Sequence, residues 1–247
     1  MASTEPAPEP TSGTSPEPRL GPLVHRAVHH GAALWLVAAL QFILVMVIVQ
    51  FAWTGHPGYN LSTDYISDLG NTHCGPWPHA DSRDICSPLH DLFNASIVVM
   101  GLLVILGAFL IRTGFPARRS SSLGLALIAI GGIGAAGVGF SPENVNITVH
   151  SASALIAFAI GNLSLVVLGF AMFRDTRWNG LRAYSIFSGL IGLIATLLFV
   201  RGAYVGLGVG GMERLVVAPQ LLWLIVVSVH LLRIRQYAPH ALPAPGH

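Results

Sequence analysis

The residues able to do chemistry gather at the ends of apolar runs. His90, Asp91 and Asn94 open one run, and Glu143, Asn144 and Asn146 precede another that begins with His150, Ser151 and Ser153. Arg201 and Tyr204 close a third, while Glu213 and Arg214 open the last, with Gln220 inside it. Such side chains are costly in hydrocarbon and turn toward one another or toward a wet cavity. At about 100° per residue, His90, Asp91 and Asn94 share one arc, and Glu213 and Gln220 are nearly eclipsed. Four helices could thereby aim polar groups at one outward-facing cleft.

Two chemistries use that set. In the first, His90 and His150 bind zinc with Asp68 or Asp91, Glu143 acts as general base, and Arg201 grips a phosphate or carboxylate headgroup. Zinc would keep an open position and lower the pKa of its water toward about 7. That describes a metal-assisted intramembrane hydrolase or transferase, with Glu143, Asp91 and Asp68 as catalytic candidates. No His-Glu-x-x-His, Gly-x-Ser-x-Gly or phosphate-loop motif accompanies it. In the second, preferred reading, Asp68, Asn71, Asn94, Arg201, Glu213 and Gln220 bind a lipid or small solute, or the module supports a partner protein. Arg201 would pair with Glu213 or Asp91, since buried ionic networks need no substrate. No inverted repeat with matching broken helices points to a secondary transporter. Whether the chain is an enzyme stays open.

The elements that must position these residues follow from composition. Of 247 residues, 53% are hydrophobic and 10% charged, and the mean hydropathy is +0.64; a soluble domain carries about a quarter charged residues. The expectation is an all-α polytopic bundle of six transmembrane helices, at Ala33–Trp53, Leu89–Ile111, Leu123–Phe140, Val149–Phe173, Ala183–Tyr204 and Met212–Leu232. Each is near the length that crosses about 30 Å of hydrocarbon. Residues 1–28 read as a disordered tail that is no signal peptide, 29–235 as the transmembrane domain with a loop at 54–88, and 236–247 as a second tail. The formal charge of +2 and the lack of a basic stripe argue against nucleic acid, leaving membrane lipid as the partner.

Ten of the thirteen basic residues, all arginine, fall in the tails and the second and fourth connections; only Arg83, Arg201 and Arg214 lie opposite. The positive-inside rule places both termini in the cytoplasm and the 54–88 loop outside a plasma membrane. An all-arginine basic set also suggests a GC-rich bacterial coding bias. Cys74 and Cys86, in a loop facing an oxidising compartment, are expected to pair; a metal-binding thiol pair with His73 and His79 is the alternative.

Small residues four apart should form packing seams: Gly131, Ala135 and Gly139; Ser153, Ala157 and Gly161; Ser188, Gly192 and Thr196. Pro219 should kink the last helix by freeing the Leu215 carbonyl. Gly206–Gly211 could move as a lid. Leu61–Asn71 reads as a short helix with Ser62 or Thr63 as cap, pressed on the bundle by Ile66 and Leu69.

Taken together, Tyr65 with Ser67-Asp68-Leu69-Gly70-Asn71, His90-Asp91-x-x-Asn94, the stretch from Gly137 to Glu143, and His150 resemble the domain-of-unknown-function 998 family of bacterial and archaeal membrane proteins. The resemblance spans about residues 30–235. It implies six helices with these boxes together on the outer side, and no established activity.

Overall fold

The computed structural model describes residues 22–76, 84–173 and 175–234. Six helices there are long and apolar enough to cross a membrane. They are α1 (Pro22–Phe51), α2 (His90–Ile111), α3 (Arg119–Phe140), α4 (Ile147–Ala171), α5 (Leu181–Val200) and α6 (Gly208–Arg233). Each packs against its neighbours in sequence, and α6 returns to α1, so the helices close a ring. Short connections force that antiparallel order. The loop end carries residues 52–76, 84–89, 141–146 and 201–207; the opposite, terminal end carries Pro22 and Ile234.

The helix count agrees with the apolar pattern, but α1 starts at Pro22 and not at Ala33. Residues 22–28, assigned to the tail, are helix: proline suits a first helical position, and Val28 is buried against Gly114. Residues 1–21 and the 236–247 tail lie outside the described residues.

Hydrocarbon gives no hydrophobic gain for helix association, so close packing must come from small residues. A Cβ on Gly134 of α3 would stand 2.6 Å from the Ala157 backbone nitrogen of α4, and one on Gly101 of α2 would stand 2.4 Å from the Gly132 carbonyl oxygen of α3. Gly131 meets Gly161 on the same α3–α4 seam, whereas Gly139 faces the Asn94 and Val98 backbone of α2. The α3 glycines thus serve two seams.

At the terminal end, an aromatic layer fills the ring. Trp35 lies 5.6 Å from Trp223 and 6.4 Å from Phe115, and Phe115 stacks on Trp178 at 4.7 Å. The Trp35 indole donates to the Val104 carbonyl (2.9 Å) and that of Trp223 to Ser185 Oγ (2.7 Å), which satisfies both buried N–H groups.

At the loop end, Cys74 and Cys86 form a disulfide beside two short antiparallel strands, β1 (Gly75–Pro76) and β2 (Asp84–Ile85). His79 and Arg83 lie outside the described residues. The Leu61–Asn71 helix does not form as expected. A turn at Asn60–Asp64 precedes a 3₁₀ turn at Ser67–Gly70. The cause is local competition for backbone amides: Asp64 Oδ2 accepts from Asn60 N (2.7 Å), Asn60 Oδ1 from Ser62 N (2.8 Å), and Asp68 Oδ2 from Tyr65 N (2.7 Å).

Candidate functional site

The 3₁₀ turn roofs the helix ring, and side chains from several elements latch it down. Ile66 and Leu69 are buried beneath it. Glu213 of α6 accepts from the Ile66 amide. Glu143 accepts from Ser67 Oγ (3.0 Å) and Asn71 Nδ2 (2.9 Å). Asn94 of α2 donates to the Gly70 carbonyl (2.9 Å), and Ser87 Oγ to that of Leu69 (2.7 Å). A Cβ on Gly70 would sit 2.4 Å from Asn94 Oδ1, so a side chain there would have to displace the Asn94 amide from its bond to the Gly70 carbonyl. Asp68 is fully buried.

A second clasp fixes the segment before the turn. Arg214 donates to the carbonyls of Leu61 (3.0 Å), Asp64 (3.1 Å) and Gly210 (2.9 Å), and to the Tyr59 hydroxyl. Tyr59 in turn donates to the Tyr65 carbonyl (2.7 Å). Burial pushes the Tyr59 hydroxyl well above the ordinary phenol range, against the pull of Arg214, so it remains a donor. Ser62 Oγ donates to the Leu207 carbonyl (2.7 Å), and Gly210 N to the Ser62 carbonyl (2.8 Å). The Gly206–Gly211 stretch, considered as a lid, is therefore stitched to this segment.

Beneath the roof lies a cavity of about 100 Å³. Phe93, Ile97, Met100 and Val104 of α2 face it, as do Glu213, Val217, Gln220, Leu221 and Leu224 of α6, the spacing of one helix face. Ala135 and Ala154 contribute from α3 and α4. Polar groups cluster toward the roof: Ser67, His150 and Glu213, with Gln220 deeper.

Gln220 sits where α4 loosens. Residues Ile156–Ile160 form a π turn, which leaves carbonyls to be satisfied by side chains. Gln220 Nε2 donates to the Ala157 carbonyl (3.1 Å), and Asn162 Nδ2 to those of Phe158 (2.9 Å) and Val216 (3.1 Å). The α6 helix runs on through Pro219. The two amides bind α4 and α6 reciprocally beside that proline.

The structure thus brings Asp68, Asn71, Asn94, Glu143, His150 and Glu213 to the roof, with Gln220 below. It does not bring His90, Asp91 or Arg201 to the cavity. Asp91 is 96% exposed, since two residues' rotation separates it from Phe93, which faces inward. The His90 Nδ1 lies 2.8 Å from the Ser87 carbonyl and its Nε2 3.4 Å from Asp91. Arg201 is exposed at the end of α5, a helix that contributes nothing to the cavity lining. The pairing anticipated for Arg201 with Glu213 or Asp91 is not among its contacts; among the described residues Arg214 is the guanidinium at the roof. No group of three or more histidine, cysteine, aspartate or glutamate side chains among the described residues is arranged to hold a metal ion. Tyr59 was missed by sequence reasoning, and Arg214, named there beside Glu213, was given no role.

Fold and site together define a multi-pass membrane bundle with a roofed apolar cavity. The chain belongs to the family described as protein of unknown function (DUF998), whose model matches residues 36–230. No curated protein and no solved structure matches the chain.

Proposed function

We propose that the protein binds a small lipophilic molecule, or the end of a lipid chain, in the roofed cavity, from the outer face of a plasma membrane. The observation that supports this is the joint presence of an apolar cavity and a polar end beneath a latched segment. An engineered cavity of about 150 Å³ lined by apolar side chains stays dry and binds benzene, so about 100 Å³ suits a short alkyl group. The family boxes support binding over hydrolysis, because Ser67, Asn71, Asn94, Glu143 and Glu213 spend hydrogen bonds on holding the roof. A role for zinc at His150 would need ligands other than His90, which is held apart from the cavity lining.

The outward orientation rests on the arginine distribution. A cysteine introduced at Asn144 should accept an impermeant label in intact cells, and one at Arg118 should not. The reverse pattern would place the roof in the cytoplasm.

The binding reading is tested by Ala154→Phe, which places a ring in the cavity. Protein purified in mild detergent should retain about one lipophilic molecule per chain by extraction and mass spectrometry. The variant should lose it while keeping its helix content. Equal retention would contradict binding in this cavity.

A further inference from the structure

Resting on that reading, we infer that the polar end of the ligand is a hydroxyl that donates a hydrogen bond to Nε2 of His150 beneath the roof. His150 stands in the first turn of α4 and is buried to 7% exposure. Its Nδ1 lies 2.9 Å from the Ser141 carbonyl oxygen at the end of α3. A carbonyl only accepts, so Nδ1 carries the proton, and Nε2 of the neutral ring is left as an acceptor. That Nε2 makes no hydrogen bond among the described residues, and the ring lines the cavity. An acceptor left unpaired in such a setting costs stability. A ligand whose polar end reaches the roof supplies the missing donor.

The donors around that nitrogen are already spent. Ser67 gives its hydroxyl proton to Glu143 (3.0 Å). Gln220 directs Nε2 to the carbonyls of Ala157 (3.1 Å) and Phe158 (3.4 Å) on the π turn. Together with His150, whose proton faces Ser141, these lining side chains hold no free N–H or O–H for a ligand. A head that only accepts, such as an ether or an ester, finds no partner among them. A hydroxyl brings one donor for the one unused ring nitrogen. It also gives up its water at far lower cost than an ionised head does in an apolar cavity. Glu213 already accepts from the Ile66 amide, and the contact at His150 does not depend on it.

The test uses the full chain in an uncharged detergent, with hexanol and its isomer methyl pentyl ether compared by equilibrium dialysis at pH 8. The two probes have the same atoms, but only the alcohol donates. Hexanol should therefore bind about fivefold more tightly, the scale of one neutral hydrogen bond. His150→Phe should bind the two alike, while His150→Gln, which restores an acceptor oxygen, should keep part of the preference. The ratio in the unaltered chain decides by itself should His150→Phe not fold. Ether bound as tightly as alcohol, or a preference undiminished in His150→Phe, would overturn the hydroxyl assignment; loss of both probes in Ala154→Phe would then leave the cavity reading standing. Hexylamine bound more tightly than hexanol would put an ammonium in the hydroxyl's place and overturn it as well. Binding of both isomers unchanged in Ala154→Phe, or no binding at all, would overturn both readings.

Discussion

Gly134→Leu is expected to abolish recovery of the folded bundle. The α3–α4 seam places the missing Cβ 2.6 Å from Ala157 N and 2.7 Å from the Ser153 carbonyl oxygen. Both are backbone atoms and cannot swing aside as a side chain would. The helices would have to separate, which also breaks the Gly131–Gly161 contact three residues away. Overpacking of this kind costs about 3 kcal/mol or more, a large part of any domain's stability. Ile133→Leu, one residue along but 60% exposed on the outer surface of the ring, should be neutral. Size-exclusion profile and thermal midpoint of the two variants make the comparison. A monodisperse, stable Gly134→Leu protein would refute the close approach.

Arg214→Met should release the segment from Tyr59 to Tyr65 without unfolding the ring. Four acceptors lose their donor at once, and hydrogen bonds to a charged group are worth about 1.5–3 kcal/mol where they are buried. Partial exposure to water reduces the sum, so a local opening cost of about 2 kcal/mol is expected. Amide exchange in residues 60–66 should then rise about 30-fold, while the centres of α2 and α3 keep their protection. Unchanged exchange at Tyr65 and Ile66 would mean that Arg214 does not hold the roof. Exchange rising throughout the bundle would mean that the clasp belongs to the core of the fold.

These two variants separate what the chain announces from what it conceals. The six spans were legible because an apolar run long enough for a bilayer has few other uses. The disulfide was legible because the loop holds the only two thiols. The small-residue seams were legible as spacings, but not the division of α3, where Gly131 and Gly134 serve α4 while Gly139 serves α2. At the site, depth along each helix was readable and direction was less so. Asp91 and Asn94 fall within one predicted arc, yet only Asn94 reaches the roof, since the inward face is set by Phe93 and Ile97 packing on the cavity. Arg201 and Arg214 stand at similar depth on adjacent helices, and sequence gave no reason to prefer the second. The reason is tertiary: the Asn60–Asp64 turn presents its carbonyls to α6 and not to α5. The π turn in α4 left no signal either. Its only trace is Asn162 and Gln220, two amides inside apolar runs that later prove to be partners of its carbonyls.

The roofed cavity is the claim on which function rests, and a density map of the protein purified in mild detergent tests it most directly. The account predicts an elongated feature within the ring, flanked by Phe93, Ala135 and Leu221, with its upper end within hydrogen-bonding distance of His150 Nε2 and Ser67 still donating to Glu143. A ring collapsed so that Phe42 and Leu221 close the space, with nothing between His150 and Gln220, would contradict it.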